Sequence, residues 1–195
     1  MRVLGVDPGL SRCGLAVLDG DMHRAAVVRA GVVRTSPDDV TAQRLALIYA
    51  ETEALIAQSA PDAVAVERVF FGNNVNTAMG VGQAAGVVLL AAARADLHVV
   101  EYTPTQVKSA VAGRGDADKT QVAFMVRAIL KLVDVPRPAD VADALALGLC
   151  HLRQGLLGGA PAGEGNAAAS DMSPRLAAAL ADAGPGAQVA RRAAR

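Results

Sequence analysis

The chain has no tryptophan, and two tyrosines and three phenylalanines bring aromatic residues to only 3% of its 195 positions. Its core must therefore be aliphatic, filled by Val, Leu and Ala from a composition that is 52% hydrophobic. Two cysteines, Cys13 and Cys150, lie far apart in apolar surroundings without CxxC or Cys/His spacing. That excludes a disulfide framework and a cysteine-based metal site, and predicts two reduced core thiols in a cytoplasmic protein. Charge of neither sign prevails: 19 basic residues balance 19 acidic ones, so nucleic-acid binding, if present, must rest on a local patch. Long apolar runs are missing too. Asp7 and Pro8 interrupt the first, and the run over 84–93 is too short to span a bilayer.

What is present alternates. Residues 3–6, 14–18 and 25–33 read as three strands joined by short turns, an antiparallel meander. A helix is predicted over 39–59, where Leu45, Ile48, Leu55 and Ile56 keep helical spacing, and Pro61 stops it. A buried strand follows over 63–66, then a small-residue helix over 76–95 and a strand over 98–102. Pro104 starts a short helix, 119–133 is a further amphipathic helix, and 144–150 belongs to a last helix bearing Asp140 and Asp143 near its N-terminus. Of the 41 residues from Gly155 onward, 24 are Ala, Gly or Pro, which predicts a flexible tail over 155–195 after a folded domain over 1–154.

The first strand delivers Asp7 to its own tip, and the strand over 63–66 delivers Glu67 in the same way. An isolated Asp-Pro-Gly is usually a turn former. Here the order of elements predicts a mixed sheet with parallel crossovers, and ligand sites in such sheets lie at the C-terminal ends of strands. Asp140 and Asp143, three apart, share one helix face that can pack across that edge. Four carboxylates gathered in a small volume repel one another unless a cation lies between them. All-oxygen ligation favours Mg²⁺ or Mn²⁺ over Zn²⁺, and a pair of such ions is the usual apparatus of phosphodiester hydrolysis. The chemistry points to a nuclease.

The stretches GVDPGLSRCGLAV, AVERVF, GQAAGVV, EYTPTQVKSAVAGRGDADKTQV and PADVADALALGLCH resemble, in order across about residues 2–152, the RuvC family of crossover junction endodeoxyribonucleases, bacterial Holliday junction resolvases. The resemblance implies a ribonuclease H-like α/β fold whose five-stranded mixed sheet, three antiparallel strands plus two parallel, is flanked by helices. It also implies a homodimer with two Mg²⁺ per active site, replaceable by Mn²⁺. Each site would nick one of two strands of like polarity at a four-way junction, leaving 5′-phosphate and 3′-hydroxyl ends, in recombination and repair. Asp7, Glu67, Asp140 and Asp143 match the family's metal-binding acids. Phe70 matches an aromatic that acts on unstacked bases, and Lys108 and Lys119 match basic residues near the scissile phosphates. A branch-migration complex of the RuvA and RuvB type is the implied partner, with no membrane.

Over 108–137, six basic side chains, among them Lys108, Arg114 and Lys119, face three acids, a local excess of three that supplies a DNA-binding patch including Arg114. Asp116 places a negative charge in the same loop. Gly80, Gly82 and Gly86 weaken the small-residue helix and suit it to close packing, on the sheet or between two subunits. His151 reads as structural. Two other classes compete: a phosphate-binding domain of the actin-like or sugar-kinase type, which would need a second Asp-x-Gly loop, and a non-catalytic junction-binding protein, which would not need four acids.

Overall fold

The structure, a computed structural model, describes residues 1–21, 23–69 and 75–156, with the side chains of 75–77, 155 and 156 also left out. Phe70, Phe71 and residues 157–195 of the tail thus lie outside the described residues. Within them, β1 (Arg2–Asp7), β2 (Arg12–Asp19) and β3 (Ala26–Arg34) form the meander, and α1 (Thr41–Ser59) leads into β4 (Ala63–Glu67). Then come α2 (Val75–Arg94), β5 (His98–Tyr102), α3 (Pro104–Ala112), α4 (Lys119–Ile129) and α5 (Ala139–Leu156). The sheet runs β3-β2-β1-β4-β5. β1 pairs antiparallel with β2 and β2 with β3, whereas β4 pairs parallel with β1 and with β5. The expected five-stranded mixed sheet is the one found. No described helix is long and apolar enough to cross a membrane.

Period-two alternation divides the core into two layers. Leu4, Val6, Cys13, Leu15, Val17, Val64 and Val66 face α1 and α2. Val3, Ala16, Leu18, Ala65 and Val100 face α3, α4 and α5. By the same alternation Gly5 and Asp7 of β1, Gly14 and Arg12 of β2, and Glu67 of β4 belong to the α5 face. Both cysteines are buried free thiols, pushed up to about 12 by burial, so they remain inert thiols in the core.

α5 is buried almost all round, from Val141 to Leu152, because the sheet covers one side and α3 and α4 the other. It sits unusually close to the strands. A β-carbon at Gly5 would fall on the carbonyl oxygen of Ala144 and 2.8 Å from the amide of Gly148, and one at Gly14 would fall on the carbonyl oxygen of Asp140. These two glycines are the seat of the helix.

Helix ends follow local chemistry. α3 and α4 open with complete capping boxes, Thr103 with Gln106 and Asp118 with Gln121. α4 is shorter than the 119–133 expected. It stops at Ile129 because Lys131 adopts φ 53°, and the amides of Lys131 and Leu132 turn back to Ala128 and Arg127 at 3.3 and 3.0 Å, a Schellman closure made without glycine. α1 likewise begins at Thr41 rather than 39, because Val40 at its N-cap is extended, with φ −61° and ψ 134°.

Gly5→Ala is expected to force α5 off the sheet and to lower stability by roughly 1–3 kcal/mol. Thermal unfolding should then show a drop of several degrees, while Gly31→Ala, with nothing within 4 Å of its built β-carbon, should change little. Equal melting temperatures for parent and Gly5→Ala would show that the helix is not seated as described.

Candidate active site

Asp7 is the last residue of β1 and Glu67 the last of β4. Because Val6 lies opposite Val66 in the parallel pair, the two acids stand side by side at the same sheet edge. α5 crosses that edge with its N-terminal end, where Asp140 occupies the first turn and is favoured there by the helix dipole. Since α5 lies on the face to which Asp7 and Glu67 point, its two acids are brought to the same edge of the sheet. The acids feel one another there: burial first, then the charges of Asp143, Glu67 and Asp140, push Asp7 up to about 7, against the opposing pull of Lys119. Burial and then Asp143 raise Glu67 as well, again opposed by Lys119.

Two cations lie among these carboxylates. Lys119, the first residue of α4, donates from Nζ to Asp143 Oδ2 at 3.0 Å. That bond, and the charges of Asp143, Asp7 and Glu67, raise the lysine above its ordinary range. On the other side, Arg12 at the start of β2 places Nε 3.4 Å from Asp140 Oδ2. This is an ion contact and not a hydrogen bond, for Asp140 Oδ2 is buried and has no hydrogen-bond partner among the described residues. Lys108 lines one cleft with Glu67, Lys119 and Asp143, floored by Val107, Val122 and Leu147. A larger groove between β3 and α1, lined by Arg29, Glu51 and Gln58, contains none of these groups.

Arg114 does not join them. Its guanidinium grips Asp116 in a two-pronged pair, Nε and Nη2 each 2.6 Å from a carboxylate oxygen, on an exposed loop. The same pairing holds Asp116 down at about 2. The unexpected acid of that loop is thus the arginine's own partner. Arg12 is the residue that the motif reading passed over; only the strand pairing shows that the fifth residue after Asp7 returns beside the acids. His151 is structural as expected: its Nδ1 lies 2.8 Å from the Tyr102 hydroxyl in the core, and burial lowers its pKa.

A five-stranded mixed sheet ending in clustered acids beneath a crossing helix defines a nuclease of the ribonuclease H-like class. A sequence model of the family described as crossover junction endodeoxyribonuclease RuvC matches residues 3–151. The chain is 57% identical over 156 residues to the RuvC of Frankia alni, covering 80% of this chain and 79% of that one. It is 52% identical over 170 residues to that of Nocardia farcinica, covering 86% and 90%. The structure of Thermus thermophilus RuvC in complex with a Holliday junction substrate superimposes with a TM-score of 0.78 at 42% identity, over 81% of this chain and 96% of that one. The yeast mitochondrial resolvase Ydc2, at 12% identity and a TM-score of 0.56, shares the fold. This chain belongs to the RuvC family of Holliday junction resolvases, enzymes that hydrolyse phosphodiester bonds, which sets aside the kinase-like and non-catalytic alternatives.

The crowding of the acids has a measurable sign. A carboxylate that titrates higher folded than unfolded binds more protons in the native state, so stability falls as pH climbs from about 4 to about 7. Asp7→Asn should therefore be more stable than the parent at pH 8 without divalent ions, by up to about a few kcal/mol, and melt correspondingly higher, and the gap should close toward pH 4. Matching melting curves at both pH values would show that Asp7 is not under this strain.

Proposed function

We propose that Asp7, Glu67, Asp140 and Asp143 hold two Mg²⁺ ions, replaceable by Mn²⁺, and that with them the protein nicks two strands of like polarity at a four-way DNA junction. Nucleases of this family depend on a metal, and the donor set supports the assignment: four carboxylates, no sulfur or imidazole, and one buried oxygen, Asp140 Oδ2, without a hydrogen-bond partner. The fit is one of chemistry and not of a ready-made cage, since no three such side chains among the described residues already enclose an ion-sized space. Asp140 and Asp143 have to turn from Arg12 and Lys119 toward a shared centre.

When bound, divalent ions supply the charge that lets all four acids ionise, activate water and offset the charge that develops on the leaving oxygen. The chain's residues do the rest. The carboxylates orient the attacking water toward the phosphorus, whose bond to the 3′ oxygen breaks, leaving a 5′-phosphate and a 3′-hydroxyl. Lys119, released from Asp143, and Lys108 beside it in the cleft neutralise the phosphate being cut. Arg114 contributes to the same basic surface at a distance from the acids. Phe70, three residues after Glu67, acts on opened bases at the junction centre.

Paired cuts at a two-fold junction ask for two sites, and a homodimer supplies them. α2 favours this: Met79, Gly82, Gln83, Gly86 and Leu90 form one exposed stripe at helical spacing, with Met79 and Leu90 more than half exposed and no atom within 4 Å of a β-carbon built at Gly82 or Gly86. We further assign the nuclease domain to 1–154 and the tail over 155–195 to a segment dispensable for cleavage beyond the two residues that complete α5, the site of action to the cytoplasm, and the partner to a branch-migration complex of the RuvA and RuvB type.

The observation that carries the reading is the meeting of the four acids at one edge. Its test is a divalent-ion-dependent nicking assay on a synthetic four-way junction against linear duplex of the same sequence. Asp7→Asn should lose cleavage by a factor of at least 100 and keep junction binding, whereas Phe70→Ala should slow cleavage more than it weakens binding. Undiminished cleavage by Asp7→Asn would remove the metal role. For the dimer, Gly86→Arg should sediment as a monomer; a dimer of unchanged mass would place the interface elsewhere.

A further inference from the structure

We propose that Arg12 and Arg34 form a second phosphate-binding arm on the β2–β3 side of the acids, gripping the cleaved DNA strand on the flank opposite Lys108 and Lys119. The proposal rests on the resolvase reading and extends it to residues outside the 108–137 basic stretch.

The argument begins with register. Arg12 lies directly opposite Arg34 in the antiparallel pairing of β2 with β3. Opposed residues point to the same face, and that face is identified by their neighbours: Val32 packs into the α5 layer while Val33 and Cys13 pack into the other. Arg12 and Arg34 therefore project on the side of the sheet that carries Asp7 and Glu67, and at the same edge. Like charges directly opposite one another destabilise a strand pair. Here the cost is only partly offset: Arg12 touches Asp140 without a hydrogen bond, and Arg34, an exposed residue, has no ion-pair partner among the described residues. Two guanidiniums held side by side, one loosely paired with Asp140 and the other without an ion-pair partner among the described residues, suit a polyanion, since each presents a planar fork of donors matched to phosphate oxygens.

Placement along the edge agrees. Read across the sheet, the charged groups run Arg34 on β3, Arg12 on β2, then the acids on β1 and β4, while Lys119 and Lys108 line the cleft they share with Glu67 of β4. Strands lie about 4.8 Å apart, so β3 stands roughly 10 Å from β1, while phosphates of one DNA strand rise about 3.4 Å each along the helix axis. For a strand laid along that edge, Arg12 and Arg34 thus fall about one to three phosphates away from the one beside Asp7. The Arg12 side chain is 56% exposed where Asp140 is only 14% exposed, so its guanidinium is within reach of DNA when the carboxylate is occupied elsewhere.

The test measures junction binding without divalent ions across a salt series for the full-length parent, Arg12→Gln, Arg34→Gln and the double variant. Alongside it run Mn²⁺ titration calorimetry without DNA and single-turnover cleavage in saturating Mg²⁺. Each phosphate contact adds about 0.9 to the slope of log affinity against log salt. The double variant should lose close to twice that, each single variant about half of the loss, and Arg12→Lys should keep the parent's slope. Arg12→Gln should bind Mn²⁺ as tightly as the parent or more so, because a cation competing for Asp140 is gone. An unchanged slope in the double variant would overturn the proposal. So would Mn²⁺ affinity in Arg12→Gln falling by the same factor as cleavage, for Arg12 would then act only by holding Asp140. A parent that binds the junction but does not cut it would instead sink the resolvase reading, and the slopes, which need no cleavage, would still decide the fate of the arm.

Discussion

Everything at this site depends on how closely one helix can approach two strands. α5 rests on β1 and β2 at Gly5 and Gly14, where a single added methyl group would strike its backbone. Without that approach Asp140 and Asp143 would stand off from Asp7 and Glu67 by the width of a side-chain layer, as packed elements ordinarily do. The aliphatic core serves the same end. Leucines at 145, 147, 149 and 152 fill the space around α5, so the helix cannot slide or roll without opening a cavity worth several kcal/mol.

Burying Asp7 and Glu67 and setting further carboxylates near them raises the free energy of the metal-free protein, and the raised Asp7 and Glu67 express that cost. The chain relieves it in part with Lys119 on Asp143 and Arg12 near Asp140. Neither pair is so strong as to lock the site, because both cations are more than half exposed and exposed ion pairs contribute little. Such an arrangement is folded without being locked: the two cations offset part of the acids' charge and remain accessible.

Overall neutrality is no obstacle to acting on DNA. Acidic and basic residues balance over the chain, but they are not mixed evenly at the sheet edge, where the acids occupy the centre and arginines and lysines its two flanks. Charge of the attractive sign is thereby concentrated at the surface that has to meet phosphate, and like charges are kept inside, where ions can screen them.

Much of this was legible in the chain. Strand tips ending in Asp7 and Glu67, the helix start at Pro104, and the acids three apart at 140 and 143 are local patterns, set by propensity, alternation and helical period, which act over a few residues. The motif order then identified the family. What local pattern could not carry was partnership. That Arg114 spends its charge on Asp116, that Arg12 returns beside Asp140 and opposite Arg34, and that Gly5 and Gly14 are the seat of α5 are facts about residues brought together by strand pairing and helix packing. Register and interlayer distance arise only when the whole core closes, because each depends on volumes and hydrogen bonds supplied by segments distant in sequence. The chain thus determined by itself which chemical groups are present and on which elements they ride; the tertiary structure alone decided which of them touch.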